Sequence, residues 1–312
     1  MKTATDQHNV FVIDEAFYIP QLNRMRRIWI YLPQGYNDSD KRYPVIYMHD
    51  GQNLFDESTA IEQEWQVDET LNSMLAETII VGIDNSEHRM KEYNFNHHEE
   101  YGPGEGKQYI EFIVHTLKPF IDENLRTMPQ REYTQLAGSS MGGLISFYGS
   151  IYFAETFGGA GIFSPALWLV QDVMHELKEV AEKNAHLPQR FYFYGGAAEG
   201  SDMLTNINHI TGLLKDLPHF RIDVETDPEG EHNEFYWRNK FSNYYLWLKQ
   251  SDKENPVPTR VTKFGKNEAE NLLAYIVNGI RVRSLKEYPK SVKRIITWGI
   301  KHCISLRNLL LG

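Results

Sequence analysis

Ser140 lies at the centre of a G-x-S-x-G pentapeptide, residues 138–142, whose residue types could perform covalent chemistry. The pentapeptide follows a β-rich run and precedes an apolar run with helical spacing, which is the strand–turn–helix context that the pattern requires. The sharp turn strains the backbone of the serine, so that its Oγ atom projects above the sheet beside a helix N-terminus. We predict that Ser140 is a nucleophile; a tight Gly/Ser turn without chemistry is the alternative.

A serine nucleophile needs a general base, and the histidines that follow Ser140 are the candidates. When the serine follows a sheet strand in this way, the acid comes next along the chain and the histidine last. His232 lies in DPEGEHNEFYW, a polar loop with a glycine after the last predicted strand. We favour His232 as the base, with an exposed loop histidine of no function as the alternative. The other downstream histidines fall in predicted helices, before a strand or in the basic C-terminal segment: His175, His186, His209, His219 and His302.

The acid that orients the base is expected in the loop after the predicted strand 190–194. That loop, GGAAEGSD, offers two carboxylates, Glu199 and Asp202. Glu199 lies in the loop itself and is placed to reach back toward His232. Asp202 opens a helical pattern, where an N-cap role explains it as well. We predict Glu199 as the acid and keep Asp202 as the alternative.

Two backbone N–H groups must stabilise the oxyanion of the tetrahedral intermediate. One is expected from Met141, the residue after the nucleophile. The other is expected from the turn His49–Asn53 after the predicted strand 45–48, where Gly51 lets the backbone turn sharply. We predict Gln52 as this donor, with Gly51 as the second choice and a purely structural turn as the alternative.

Three further features concern substrate and metal binding. Trp168, in the segment SPALW just beyond a predicted strand, is consistent by composition with a core tryptophan. Arg89 follows the end of another predicted strand, where loops carry function. It is a candidate for holding an anionic group of the substrate, and a surface ion pair is the alternative.

The run His97–Glu100 points its side chains in diverging directions, unlike an H-x-x-x-H pair, and no metal site is predicted. The sequence has no Walker-type loop and no G-x-G-x-x-G after a strand, so no cofactor is expected.

The elements that must position these residues alternate between strand and helix patterns, which predicts a mostly parallel sheet with helices on both faces. The uncharged run 133–154 is too rich in Ser and Gly for a lipid span and fits the centre of such a sheet. The first two strands have no helix between them, which suggests an antiparallel edge, and the helix 107–125 is predicted to kink at Pro119. The predicted strands are 27–31, 45–48, 78–83, 133–137, 160–163, 190–194 and 220–224, and the predicted helices are 65–76, 107–125, 141–152, 172–184, 203–214 and 233–248.

Several linked segments resemble the putative-esterase branch of the α/β-hydrolase superfamily. They are YPVIYMHDGQNLFD (43–56), LKPFID (117–122), LAGSSMGGLIS (136–146), FSPALW (163–168), GGAAEGSD (195–202) and EGEHNEFYW (229–237). The branch includes feruloyl and acetylxylan esterases, siderophore esterases, S-formylglutathione hydrolases and mycolyltransferases. The resemblance covers roughly residues 10–250. It implies an α/β-hydrolase fold, a triad of Ser140, Glu199 and His232, and an oxyanion hole formed by Gln52 and Met141. It also implies that Trp168 lies at the rim of the site, where it could bind substrate.

The 312 residues carry a net charge of −10, which is divided unevenly along the chain. Residues 1–250 hold 20 basic and 37 acidic side chains, whereas residues 251–312 hold 12 basic and 5 acidic ones. The acidic body argues against nucleic acid as a partner, because phosphate binding requires a basic face.

One cysteine, Cys303, excludes an intramolecular disulfide framework, and the N-terminal residues show no secretory signal. We expect a cytoplasmic protein.

The composition divides the chain into three parts. We predict a catalytic domain over residues 1–250, a linker over 251–266 and a basic helical extension over 267–312. The linker begins with a polar stretch that contains two prolines. Residues 290–312 are basic and amphipathic, which suits a weak contact with a membrane surface or another subunit. Packing on the acidic catalytic domain is the alternative.

Taken together, these residues predict a serine hydrolase that cleaves carboxylic esters through an acyl-enzyme intermediate. The expected substrate is a small-molecule, carbohydrate or siderophore-type ester. An acyltransferase with the same triad is the first alternative, because an alcohol can replace water as the acceptor of the acyl group. A non-catalytic binding module on the same fold is less favoured, because both Ser140 and His232 are present.

Overall fold

One eight-stranded sheet forms the centre of the computed structural model, which describes residues 9–169 and 174–250. Its strands are β1 (Val10–Ile19), β2 (Arg24–Tyr31), β3 (Val45–His49), β4 (Ile79–Ile83), β5 (Thr134–Ser139), β6 (Gly159–Phe163), β7 (Gln189–Gly196) and β8 (Phe220–Asp227). Their order across the sheet is β1-β2-β4-β3-β5-β6-β7-β8. β2 runs antiparallel to both β1 and β4, and the remaining neighbours are parallel.

Eight α-helical segments lie between these strands or after the last of them within the described residues. They are α1 (Val67–Ser73), α2 (Arg89–Glu92), α3 (Gly106–Phe112), α4 (Lys118–Asn124), α5 (Met141–Tyr152), α6 (Met174–Lys183), α7 (Ser201–Leu214) and α8 (Glu234–Lys249). No helix in this part of the chain is long and apolar enough to cross a membrane. The predicted linker over 251–266, the helical extension over 267–312 and Cys303 lie outside the described residues.

The central strands are apolar on both faces because helices cover both sides of the sheet. Every residue of β3, β4, β5 and β6 is buried. Successive side chains of a strand point to opposite faces. Val45 and Tyr47 of β3 accordingly belong to one hydrophobic cluster, and Ile46 and Met48 belong to the other. The predicted α/β class, with a mostly parallel sheet, is confirmed.

The predicted helix 107–125 is divided into two helices. A π-helical turn over Ile113–Leu117 separates α3 from α4. Pro119 is the second residue of α4 and continues a helical backbone, so its missing N–H group leaves the carbonyl of His115, within the π-helical turn, without its α-helical donor. The irregular turn therefore precedes the proline instead of being centred on it.

The antiparallel edge is confirmed, but its composition differs from the prediction. It consists of β1 and β2, and β4 lies between β2 and β3. Strand β1 is absent from the sequence-based prediction. Its pairing with β2 shifts in register between Val12 and Asp14 and again between Asp14 and Phe17. These irregularities break the period-two alternation by which a strand is recognised.

Gly161 on β6 packs against the buried ring of Tyr244 on α8. A Cβ atom at position 161 would lie 2.6 Å from Cζ of Tyr244, closer than two carbon atoms can approach. We expect Gly161→Ala to lower the free energy of unfolding by about 1–3 kcal/mol, as overpacking of a core does. Denaturation in urea measures this loss.

Gly212→Ala is the matched control, because Gly212 lies within α7 and its Cβ atom would meet nothing within 4 Å. Alanine in a helix interior is favoured over glycine by about 1 kcal/mol. The control should therefore leave the stability unchanged or raise it. Equal losses in the two variants would contradict the packing explanation.

Candidate active site

Ser140 occupies the turn between β5 and α5 in a strained conformation. Its backbone has φ 56° and ψ −120°, a region that residues other than glycine rarely adopt. Its N–H group donates to the carbonyl of Phe163 at 2.9 Å, and its carbonyl accepts from the N–H group of Ala166 at 3.1 Å. A Cβ atom on Gly138 would lie 2.9 Å from the backbone of Gly142. The turn is therefore held by hydrogen bonds and needs glycine where β5 and α5 approach each other.

Glu199 and His232 are in hydrogen-bond contact beyond the carboxyl ends of β7 and β8. Nδ1 of His232 lies 2.6 Å from Oε2 of Glu199. The side chain of Glu199 is fully buried, whereas 42% of the His232 side chain is exposed. The carboxylate is thus shielded from water while the imidazole remains accessible to a substrate.

The second carboxylate oxygen of Glu199 is held by two donors. Oε1 accepts from the hydroxyl of Ser164 at 2.7 Å and from the N–H group of Gly196 at 2.6 Å. The hydroxyl of Ser164 in turn accepts from Nε1 of Trp237 at 2.8 Å. The ring of Trp237 also meets the His232 ring edge to face, with centroids 5.1 Å apart. Both oxygens of the acid are therefore fixed, and one indole supports the acid and the imidazole together.

Sequence reasoning missed Ser164 and Trp237. Ser164 directly follows β6 and has φ 43°. A polar residue at the carboxyl end of an apolar central strand is the signal that points to it, because ligands bind at that end of parallel sheets. Trp237 carries no comparable signal, since its position within α8 is typical of a core tryptophan.

Asp202, the alternative acid, lies in the first turn of α7. Its carboxylate accepts a hydrogen bond from the hydroxyl of Ser201 at 3.0 Å, and both side chains are exposed. An acidic residue in a first helical turn is stabilised by the helix dipole. The structure brings Glu199, and not Asp202, to the imidazole of His232.

The turn after β3 carries the second predicted oxyanion donor. Asp50 adopts the left-handed conformation with φ 57° and ψ 48°, and a 3-10 turn follows over Gly51–Asn53. A Cβ atom on Gly51 would lie 2.8 Å from the backbone of β4, so a side chain has no room there. Gln52 is buried, and its Oε1 atom accepts from the N–H group of Asn85 at 3.1 Å. The turn is thus fixed against the next strand and its loop.

The start of α5 lies against the same turn. A Cβ atom on Gly142 would lie 3.1 Å from Oδ2 of Asp50 and 3.3 Å from Cβ of His49. Met141 is the first residue of α5, so its N–H group has no intrahelical acceptor. The two predicted donors, Gln52 and Met141, therefore belong to segments that are in contact.

Arg89 forms an ion pair with Asp50 that is largely buried instead of lying at the surface. Its Nε and Nη2 atoms lie 2.7 and 2.9 Å from the two carboxylate oxygens, and Asn85 donates to Oδ1 at 2.6 Å. Burial alone would raise the pKa of Asp50, but the charge of Arg89 and these hydrogen bonds outweigh it and hold the pKa below its ordinary value. The hydroxyl of Tyr93 accepts from the N–H group of Asp50 at 3.3 Å. This network stabilises the left-handed turn.

Trp168 is 56% exposed, so it is not a core tryptophan. It lies in a short 3-10 helix, Leu167–Leu169, beyond the end of β6. Its ring meets the edge of His98, with centroids 6.1 Å apart, and His98 stacks on Tyr101 at 4.8 Å. The loop that contains the His97–Glu100 run therefore contacts Trp168 through aromatic rings.

Comparisons with known proteins identify the family of this chain. The model of a family described as Putative esterase matches residues 19–248. The uncharacterized protein YbbA of Bacillus subtilis is 24% identical over 246 residues, which is 72% of this chain and 92% of that protein. The iron(III) salmochelin esterase of Escherichia coli is 29% identical over 152 residues, which is 46% of this chain and 33% of that protein.

A solved structure confirms the fold. An IroE-like serine hydrolase from Shewanella oneidensis aligns with a TM-score of 0.61 and 20% identity, covering 83% of this chain and 84% of that one. The predicted α/β-hydrolase fold is thereby confirmed for the described residues. The family match spans most of the chain and includes Ser140, Glu199 and His232. The chain belongs to the putative esterase family and is a carboxylic ester hydrolase.

Proposed function

We propose that the protein is a serine esterase whose triad consists of Ser140, Glu199 and His232. The hydrogen bond of 2.6 Å between Glu199 and His232 is the observation that carries this proposal. A buried carboxylate bound to Nδ1 makes Nε2 of the imidazole the proton acceptor. Ser140 supplies the nucleophile from its strained turn, where α/β-hydrolases hold theirs.

In the first half of the reaction, Oγ of Ser140 attacks the ester carbonyl while Nε2 of His232 takes its proton. Glu199 stabilises the imidazolium that forms and does not itself become protonated. The C–O bond to the leaving alcohol then breaks, and His232 returns the proton to the alkoxide. In the second half, water attacks the acyl-enzyme with the same proton transfers. The acid is released and Ser140 regains its proton.

We assign the oxyanion hole to the N–H groups of Met141 and Gln52, with Gly51 as the alternative to Gln52. The negative charge develops beside the first turn of α5, which favours it electrostatically. The buried contacts of the Asp50–Asn53 turn preorganise the second donor, so little reorganisation is needed during the reaction. Each such donor contributes about 10²–10³ in rate.

The substrate that fits best is a small-molecule ester. One relative is named an iron(III) salmochelin esterase, which favours siderophore-type esters as first candidates. Exposed Trp168 is proposed to contact the substrate beside the catalytic residues. Transfer of the acyl group to an alcohol, in place of hydrolysis, remains compatible with the same triad.

Replacement of Ser140 by alanine tests the nucleophile. We expect wild type to be labelled by a fluorophosphonate probe and Ser140→Ala to remain unlabelled. Hydrolysis of p-nitrophenyl esters should fall at least about 10³-fold, because loss of the nucleophile removes the acyl-enzyme route. Equal labelling of the two proteins would show that Ser140 is not the nucleophile.

The substrate class is tested with the same two proteins on a panel of esters. The panel contains short p-nitrophenyl esters, acetylated and feruloylated sugars and a catecholate siderophore ester. Hydrolysis of one class by wild type alone identifies the substrate. A competing alcohol in the assay separates a hydrolase from an acyltransferase, since only the latter yields the transfer ester as the main product.

Separate replacement of the two loop carboxylates tests the acid. Glu199→Gln keeps the size of the side chain but no longer stabilises the imidazolium, so kcat should fall by up to about 10⁴-fold. Asp202→Asn is the matched control, because Asp202 is exposed in the first turn of α7. Its kcat should stay close to that of wild type. A larger loss in the control would transfer the role of acid to Asp202.

Arg89 is proposed to position the oxyanion turn through Asp50. Arg89→Ala leaves the buried carboxylate of Asp50 without its cation, so the turn should shift and kcat on neutral esters should fall by up to about 10²-fold. Arg27→Ala is the control, since Arg27 pairs with Glu15 at the surface and exposed pairs contribute little. A rise in KM that is confined to anionic esters would instead assign Arg89 to substrate binding.

A further inference from the structure

A buried hydrogen bond joins the two halves of the proposed active site. One half is the turn after β3, which carries the proposed oxyanion donor Gln52 and ends at Asn53. The other half is the loop of His232, which leads into α8. Nδ2 of Asn53 donates to Oε1 of Glu234 at 3.2 Å. Glu234 is the first residue of α8 and lies two residues after His232, so this contact links the oxyanion turn to the loop of the base.

Asn53 uses all of its backbone and side-chain polar groups in hydrogen bonds. Its N–H group donates to the carbonyl of Asp50 at 2.9 Å, and its carbonyl accepts from the N–H group of Trp65 at 2.8 Å. Oδ1 accepts from the N–H group of Ile61 at 3.0 Å. A backbone N–H group can only donate, so this bond fixes the orientation of the amide and directs Nδ2 to Glu234. The buried amide is therefore a fixed part of the turn.

Glu234 is buried although it lies at a helix N-terminus. A helix dipole favours an acidic residue in the first turn, but an exposed side chain has the same advantage without the cost of burial. Burial raises the pKa of Glu234. The charges of Glu62 and Asp50 add to this rise, and the charge of His232 opposes it. The carboxylate therefore lies within electrostatic reach of both the oxyanion turn and the base.

Aromatic packing connects the same two halves a second time. The N–H group of Trp65 binds the carbonyl of Asn53, and the ring of Trp65 packs against that of Trp237 with centroids 5.8 Å apart. The ring of Trp237 meets that of His232 edge to face at 5.1 Å. Polar and aromatic contacts toward the base thus both start at Asn53.

We propose that Asn53 and Glu234 are positioning residues for ester hydrolysis, and that their hydrogen bond sets the spacing between the oxyanion turn and the imidazole of His232. This inference rests on the triad and oxyanion hole proposed above. The oxyanion donor and the base must address one carbonyl group at the same moment. A misplacement of about 1 Å can lower the rate by about 10². The pair acts through Gln52 and His232.

Two replacements of Glu234 that preserve its approximate size test the hydrogen bond. Glu234→Gln keeps an oxygen that accepts from Asn53, whereas Glu234→Met removes it. We measure kcat on a short p-nitrophenyl ester per active site titrated with a fluorophosphonate probe. We expect kcat to fall at least about tenfold in Glu234→Met and to stay within about threefold of wild type in Glu234→Gln, with KM unchanged in both. Titration counts only folded sites, so a merely structural loss does not lower this kcat.

An exchange of the two functional groups tests the pair. Asn53→Asp places two carboxyl groups against each other, so their repulsion should displace the turn from α8 and lower kcat at least about tenfold. Adding Glu234→Gln restores the bond in the reverse direction, because the new amide can donate to the new carboxylate while the N–H group of Ile61 keeps its acceptor. The double variant should recover to within about threefold of wild type. A double variant as slow as Asn53→Asp alone would overturn the proposal.

Asn243→Asp is the matched control. Nδ2 of Asn243 lies 3.0 Å from each carboxylate oxygen of Glu225, which makes a second asparagine–glutamate pair on α8. Glu225 belongs to β8, and the pair does not include the oxyanion turn. The kcat of Asn243→Asp per titrated site should equal that of wild type. Equal losses in Asn243→Asp and Asn53→Asp would contradict the positioning role.

Failure of the positioning role differs from failure of the esterase mechanism. If wild type takes no fluorophosphonate label and cleaves no ester, the serine mechanism is wrong and the positioning role falls with it. If wild type is active and Glu234→Met has the same kcat, only the positioning role is wrong. A loss in Glu234→Gln as large as that in Glu234→Met would also overturn it, since the charge and not the hydrogen bond would then matter.

Discussion

The hydrogen bond between Glu199 and His232 is the interaction on which the proposed chemistry depends. A carboxylate can orient an imidazole only if it is held in place itself, and Glu199 is held through both oxygens. Ser164 and the backbone of Gly196 bind one oxygen, and His232 binds the other. Trp237 connects the two sides, because it donates to Ser164 and packs against the imidazole. The ends of β6, β7 and β8 and the start of α8 must therefore keep their relative positions.

The proposed oxyanion side of the site is built on a different principle. There the backbone provides the donors, and buried side chains fix the shape of the backbone. Asp50 adopts a left-handed conformation, and Arg89 and Asn85 bind its carboxylate. Because the ion pair is largely buried, its electrostatic attraction is screened less by water than a surface pair would be. The turn after β3 is thus rigid where a transition state would require a fixed dipole.

Several features could be predicted because they depend on local sequence patterns. The apolar runs of β3 to β7 and the periodicity of α5, α7 and α8 specified elements within a few residues of their observed bounds. Strand β1 escaped prediction because its register shifts disrupt the alternation of side chains. The helix around Pro119 was predicted as one element, whereas a π-helical turn divides it. That turn directly precedes Pro119, and the apolar spacing that predicts a helix does not reveal a local change of its pitch.

The sequence by itself determined the fold class and the family, and it identified the candidate positions Ser140, Glu199 and His232. The order of strands and turns predicts these positions, because it dictates which loops reach the same edge of a parallel sheet. Tertiary structure alone decided how the side chains pair. It placed Glu199 rather than Asp202 on the imidazole, joined Arg89 to Asp50 and exposed Trp168. Hydrogen bonds and buried charges act over a few ångströms, and they join residues whose separation along the chain gives no indication of contact.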